Sequence, residues 1–284
     1  MSSPDPNLRV YNSPEVAAHY ANLDYLSACE RMLFNEFLAP GQTILDLGVG
    51  GGRTTTALSA IAGRYIGVDY APEMVALCRK KFPDLEFHVG EAGDLAAFGN
   101  MSFDAVVMAF NGMDYASPDK SRFRSLTEIG RILKPGGVLI FSSHNPRVLF
   151  PRITWRSTRI DDLAGRLTRS VPFLSPFVAL ALRCGRFVLL LARSGIRCFK
   201  QFAQVLPTLT FWRGEGYLLD SAHGGLITHY AIPAKVVAET ERFGFQSVKV
   251  QGDDYPHRSS LYVTGWYYYV FVKLDVPTRP AFCA

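Results

Sequence analysis

The stretch Ile44-Leu45-Asp46-Leu47-Gly48-Val49-Gly50-Gly51-Gly52-Arg53-Thr54-Thr55 decides how this chain is read. An apolar run ends in an acidic residue, turns through glycines and enters a helical pattern. Glycines at 48, 50 and 52 let the backbone approach a ligand where any Cβ would intrude, and the helix N-terminus beyond them favours a negative group. Thr54 is expected to cap that helix through its hydroxyl. Asp69 ends the next apolar run (YIGVD) 23 residues after Asp46, where a carboxylate can accept both ribose hydroxyls of an adenosine. Two other nucleotide loops do not fit. The sixth position from Gly48 is Arg53, which breaks the dinucleotide pattern G-x-G-x-x-G, and no lysine follows the glycines as a P-loop requires.

Outward from this loop, residues 41–143 alternate short apolar runs with amphipathic stretches, the pattern of βαβ units and a parallel sheet. The predicted strands are Thr43–Leu47, Tyr65–Val68, Glu86–Val89, Ala105–Ala109 and Val138–Ser142. Pro72 suits the first turn of one connecting helix. Ser121–Leu133 reads as another, ended by Lys134-Pro135-Gly136-Gly137. The pattern resumes with a helix from Pro233 to Arg242 and strands at Val248–Gln251 and Gly265–Leu274. The aromatic run Trp266–Tyr269 is expected to pack both faces of that last strand.

The chain has 284 residues, 48% of them apolar and 19% charged, enough for a full core and unlike a disordered segment. Its five cysteines are scattered, with no C-x-x-C pair, so neither a disulfide framework nor a metal site is expected. No basic segment followed by an apolar core opens the sequence, and the expected location is the cytoplasm. The net charge of +5 is unevenly placed: residues 147–213 hold 12 Lys/Arg against Asp161 and Asp162, leaving 18 basic and 23 acidic residues elsewhere. Within this basic block the longest uncharged run, Ser170–Leu182, has 13 residues and two prolines, short of the roughly 20 needed to cross a bilayer.

The sequence resembles the class I S-adenosylmethionine-dependent methyltransferases. The resemblance rests on five segments in order: Asp46–Gly52, Gly67-Val68-Asp69, Gly90-Glu91-Ala92-Gly93-Asp94-Leu95, Phe103-Asp104-Ala105-Val106-Val107, and Arg131 to Gly137. It implies an α/β, doubly wound, Rossmann-like and mostly parallel seven-stranded sheet, with helices on both faces and an inserted helical lid. It divides the chain into an N-terminal helical cover (1–40), a cofactor-binding core (41–146), a basic apolar insertion (147–222) and a return to the core (223–284). By the same resemblance Gly48, Gly50 and Gly52 would pass under the methionine part of S-adenosylmethionine, and Asp46 would help hold its amino group. Asp69 would bind the ribose, and Tyr70 and Met74 would flank the adenine. Glu91 and the Ala92 backbone would meet the adenine edge, while Tyr20, Phe110 and Asn111 would complete the pocket. Tyr11 lies in the same N-terminal cover as Tyr20.

Catalytic candidates sit where such sheets bind ligands, after the C-terminal ends of strands. His144 follows the fifth strand and has the intrinsic pKa of a base near neutrality. His223, before two glycines, is a second candidate, with His229 close behind it. The insertion is cationic and apolar together. It would complement an anionic or amphiphilic acceptor such as a lipid-linked saccharide, a membrane surface, or a second subunit. A nucleic-acid substrate is disfavoured: the fourth strand runs on as Met108-Ala109-Phe110-Asn111-Gly112, without the Pro-Pro-aromatic tetrapeptide of amino-methylating DNA enzymes. The other reading is a protein that keeps the pocket without turnover.

Overall fold

The structure is a computed structural model that describes residues 6–116, 119–145, 158–168, 170–186, 188–189, 214–220, 226–257 and 264–275. It divides into two compact units, Met1–Arg147 with Thr208–Ala284, and Val148–Pro207.

The larger unit opens with α1 (Pro6–Tyr11), α2 (Pro14–Ala21) and α3 (Ala28–Phe37). Ser27 starts α3 with a reciprocal cap, its hydroxyl accepting from Glu30 N–H while the Glu30 carboxylate accepts from Ser27 N–H. The alternating core follows: β1 (Thr43–Leu47), α4 (Thr55–Ile61), β2 (Arg64–Asp69), α5 (Pro72–Lys81), β3 (Glu86–Val89), β4 (Phe103–Met108), α6 (Asp119–Ile132) and β5 (Leu133–His144). These five strands are mutually parallel. In the smaller unit lie α7 (Thr158–Leu167), a 3-10 turn Pro172–Leu174 and α8 (175–186). Back in the larger unit come β6 (Glu215–Asp220), β7 (Leu226–Ala231), α9 (Pro233–Glu241), β8 (Phe245–Gly252) and β9 (Trp266–Lys273).

The main sheet has the order β3-β2-β1-β4-β5-β9-β8, and β6-β7 form a separate antiparallel pair. β9 slots antiparallel between β5 and β8. Strand alternation builds a core on each face of the sheet. Leu45, Leu47, Val106, Leu139, Phe141, Tyr269 and Phe271 point to one side, against Leu126, Ile129 and Ile132 of α6 and Val236 of α9. Ile44, Ala105, Val107, Ile140, Tyr268 and Val270 point to the other, against α3, α4 and α5 through Leu33, Phe34, Leu58 and Val75. Helices thus cover both faces, the doubly wound arrangement expected from the sequence.

Two local expectations change. β5 begins at Leu133, because Phe103 pairs with Leu133 and Ala105 with Val138, so Lys134-Pro135-Gly136-Gly137 form an irregularity within the strand rather than a loop before it. Thr54 makes no side-chain cap; its hydroxyl instead donates to Asp46 Oδ2 at 2.7 Å. The sheet order reverses between β1 and β4, which opens a crevice at the C-terminal ends of these strands.

Candidate functional site

On one wall of the crevice the glycine loop leaves β1 with Gly48, Gly50 and Gly52 all at positive φ. Gly50 N–H donates to Asp69 Oδ2 (2.8 Å) and Ala71 N–H to Asp69 Oδ1 (2.9 Å), so one carboxylate ties the loop to the start of α5. Burial pushes the Asp69 carboxyl up to about 6, against the pull of these backbone donors. The Tyr70 N–H is a third backbone donor, and the carboxylate's lone pairs leave room for one more. Asp46 lies deeper: its Oδ2 accepts from Thr54 and from the Tyr65 hydroxyl at 2.8 Å, and burial pushes it too up to about 6. At Gly50 a Cβ would meet only the Tyr20 ring, at 3.8 Å, so this side of the loop is open.

Across the crevice, Phe110 and Asn111 leave β4 with φ of 58° and 63°, left-handed values that non-glycine residues rarely adopt. This turn feeds the 3-10 segment Gly112–Tyr115 and carries Asp114 under the end of β5. There Asp114 Oδ2 accepts from His144 N–H (2.6 Å) and lies 2.8 Å from His144 Nδ1. Its Oδ1 accepts from the Ser143 hydroxyl (2.7 Å) and lies 3.7 Å from Nδ1 of buried His229 on β7. Burial pushes Asp114 up, but the His144 hydrogen bonds and the two imidazoles beside it outweigh burial and hold the carboxyl below its ordinary value. An ionised carboxylate only accepts, so Nδ1 of His144 carries the proton and Nε2 of the neutral ring is the acceptor. Asn111 Nδ2 lies 3.1 Å from Nε2, while Asn111 Oδ1 is buried without a hydrogen-bond partner.

Rings join the two walls. Tyr11 packs against Tyr20, Tyr70 and Tyr115, with centroids 5.8–6.0 Å apart. Tyr115 meets His144 edge-on at 6.3 Å, His144 meets Trp266 at 6.4 Å, and Trp266 meets Phe110 at 6.2 Å. The Arg53 guanidinium lies 5.0 Å from the Phe110 centroid and 5.5 Å from that of Tyr25. Arg53 is itself buried and forms a two-pronged pair with Glu30, whose Oε1 also accepts from the Tyr268 hydroxyl. Burial raises Glu30, and the Arg53 bonds more than reverse it, leaving the carboxyl below its usual value.

The residues predicted from sequence are not all equally central. Tyr20, Tyr70 and buried Met74 pack together with Tyr11 over the start of α5. Glu91 is exposed on the turn after β3, and Ala92 is half-buried against the core. His223 lies outside the described residues. Asp114, Tyr115, Trp266 and the Arg53–Glu30 pair escaped the sequence reading. The one signal for Asp114 is its place three residues beyond Asn111, on the same strand exit.

The methyltransferase domain family matches residues 44–137, the glycine loop through the start of β5. A probable S-adenosylmethionine-dependent methyltransferase of Mycolicibacterium smegmatis is 30% identical over 188 residues, 66% of this chain and 62% of that protein. Residues 44–137 therefore carry a methyltransferase domain. A demethylmenaquinone methyltransferase of Renibacterium salmoninarum is 29% identical over 143 residues, 50% of this chain and 58% of its own length. The chain therefore spans little more than half of these curated relatives. The fold is shared with Burkholderia thailandensis 1,6-didemethyltoxoflavin-N1-methyltransferase, solved with bound 1,6-didemethyltoxoflavin and S-adenosylhomocysteine. The TM-score is 0.55 at 13% identity, covering 97% of this chain and 92% of that one. S-adenosylmethionine is the cofactor of the class that the chain resembles, and the site fits it. The open side of Gly50, the buried Asp69 carboxylate and the unpartnered Asn111 oxygen all lie at the C-terminal ends of neighbouring strands.

Proposed function

We infer that the protein methylates a small or amphiphilic metabolite whose nucleophile carries a proton, with Nε2 of His144 as the base that removes it. The observation that carries this reading is the Asp114–His144 pair at the end of β5. A carboxylate holds Nδ1–H, so the lone pair of Nε2 faces outward to Asn111. When bound, S-adenosylmethionine supplies an electrophilic methyl group for in-line displacement. Gly48, Gly50 and Gly52 would hold its methionine part, with Asp46 behind them. Asp69 would accept from its ribose, and Tyr20, Tyr70, Met74 and the Glu91-Ala92 turn would border its adenine.

The chain's own residues then do three things. Asp114 orients the imidazole and stabilises the imidazolium formed when the acceptor proton arrives at Nε2. Asn111 stands where the acceptor's X–H group would donate, and its unpartnered oxygen offers that group a second contact. The rings of Tyr11, Tyr115, Trp266 and Phe110 exclude water from the reacting atoms. In that step Nε2 of His144 would take the X–H proton, while the bound cofactor would supply the methyl carbon to X and keep the carbon–sulfur electron pair.

The test is transfer from methyl-labelled S-adenosylmethionine to a panel of hydroxylated, anionic and lipid-linked acceptors. Labelling by the wild type and its loss in His144→Gln support the reading. Equal labelling by both removes His144 as the base.

A further inference from the structure

The smaller unit leaves apolar surface uncovered in an unusual concentration. Of the 15 large apolar side chains that stand exposed among the described residues, nine fall between Leu163 and Leu189. Phe173 is 72% exposed, Phe177 66%, Leu180 50% and Val188 63%. Phe177, Leu180 and exposed Cys184, at i, i+3 and i+7, share one face of α8, with Phe173 in the turn just before it. The opposite face of α8 is where burial occurs: Ala179 is buried and Val178 and Leu182 are half-buried. On α7, Leu163 and Leu167 repeat the arrangement beside exposed Arg166, while Ala164 is buried. Folded monomers rarely leave patches of this kind bare.

Charge says what complements it. Residues 148–207 hold ten Lys/Arg and two Asp, a net +8, whereas the rest of the chain is net negative. A second copy of this unit would bring +8 against +8. An anionic bilayer offers both hydrocarbon for the Phe and Leu side chains and negative headgroups for the arginines. No helix among the described residues is long and apolar enough to cross a membrane, so contact at the surface is the geometry available. We propose that the apolar face of α8 and the turn before it seats this protein on the surface of an anionic lipid bilayer. The inference stands on this surface alone and holds whether or not His144 is the base.

The experiment is co-flotation of the full chain with phosphatidylcholine vesicles, with and without phosphatidylglycerol. The wild type is expected to float with the anionic vesicles and to be released as NaCl rises from about 0.1 to about 0.5 M. Phe173→Ser combined with Phe177→Ser should weaken flotation at least about tenfold, and Arg166→Glu by itself severalfold. Unchanged S-adenosylhomocysteine binding shows that the variants are folded. No flotation of the wild type on anionic vesicles, or equal flotation of the wild type and both variants, overturns the proposal. So does a wild-type dimer, dissociated by the double substitution, that never floats, since a second copy then covers the face.

Discussion

Nδ1 of His144 sits 2.8 Å from Oδ2 of Asp114, and the same oxygen accepts the His144 backbone N–H. One carboxylate oxygen, 30 residues away in sequence, thus holds both the ring and the backbone of His144. Asp114→Asn should keep the contact but lose the charge that stabilises the imidazolium. We expect kcat to fall by about 10²-fold or more with little change in S-adenosylhomocysteine affinity. A matching loss of cofactor affinity would instead make Asp114 structural.

His229 presents Nδ1 to the second oxygen of Asp114 at 3.7 Å, from the two-stranded sheet. His229→Gln is expected to shift the pH profile of kcat while leaving KM for S-adenosylmethionine unchanged, because it alters the surroundings of Asp114 and not the glycine loop. A profile superimposable on the wild type's would remove His229 from the proton path.

Asp69 should make cofactor binding pH-dependent. Burial raises its carboxyl to about 6, and ribose hydroxyls donate best to the ionised form. Calorimetric affinity for S-adenosylhomocysteine should therefore strengthen as pH rises through about 6, and Asp69→Asn should flatten that dependence and weaken binding by roughly ten- to a hundredfold. Stability runs the other way. A folded pKa above the unfolded value of about 3.9 means that Asp46 and Asp69 favour the fold most below pH 4, a contribution lost as pH rises through 6. Asp69→Asn should thus lessen the fall in unfolding midpoint over that window, and an unaltered pH dependence of stability would count against the assignment.

Removing Arg53 strands a buried carboxylate. Arg53→Met leaves Glu30 with only the Ser27 N–H and the Tyr268 hydroxyl among the bonds described above. The expected loss is about 3–5 kcal/mol in urea unfolding. Adding Glu30→Gln should recover part of it; a double variant no more stable than Arg53→Met would mean that the guanidinium acts through Phe110 and Tyr25 instead.

Gly52 tests the loop packing. It holds φ of 81°, and a Cβ there would lie 2.7 Å from the Phe82 ring. Gly52→Ala combines left-handed strain with this clash, and a loss of about 1–3 kcal/mol should appear as a lower unfolding midpoint. Gly50→Ala meets nothing closer than Tyr20, so it should cost less stability and more cofactor affinity. The reverse order would mean that Gly52, not Gly50, faces the ligand.

Much of the site's cofactor half is local in sequence. The loop from Asp46 to Gly52 and the strand end at Asp69 are each contiguous, and parallel pairing of β1 with β2 brings them together. The acceptor half is not. Asp114 and His144 meet only because Phe110 and Asn111 turn left-handed and drop the next segment beneath β5, a backbone choice that no residue pattern announces. Trp266 reads as one more aromatic in a strand, yet its pairing opposite His144 in β5 sets it at the rim of the site. Thr54 reads as a cap because capping is the commonest use of such a hydroxyl, but the buried Asp46 carboxylate a few ångströms away is the stronger acceptor.

The sequence by itself determined the alternation of strands and helices, the glycine loop and the two carboxylates that end β1 and β2. These depend on side-chain period and on conformational freedom, which act between near neighbours in the chain. Tertiary structure alone decided that β9 enters between β5 and β8, that Tyr268 reaches Glu30 across 238 residues, and that Asp114 holds His144. Such partners are set by sheet order and by the demand that every buried charge find a counterpart, and both are satisfied only once the whole core has closed.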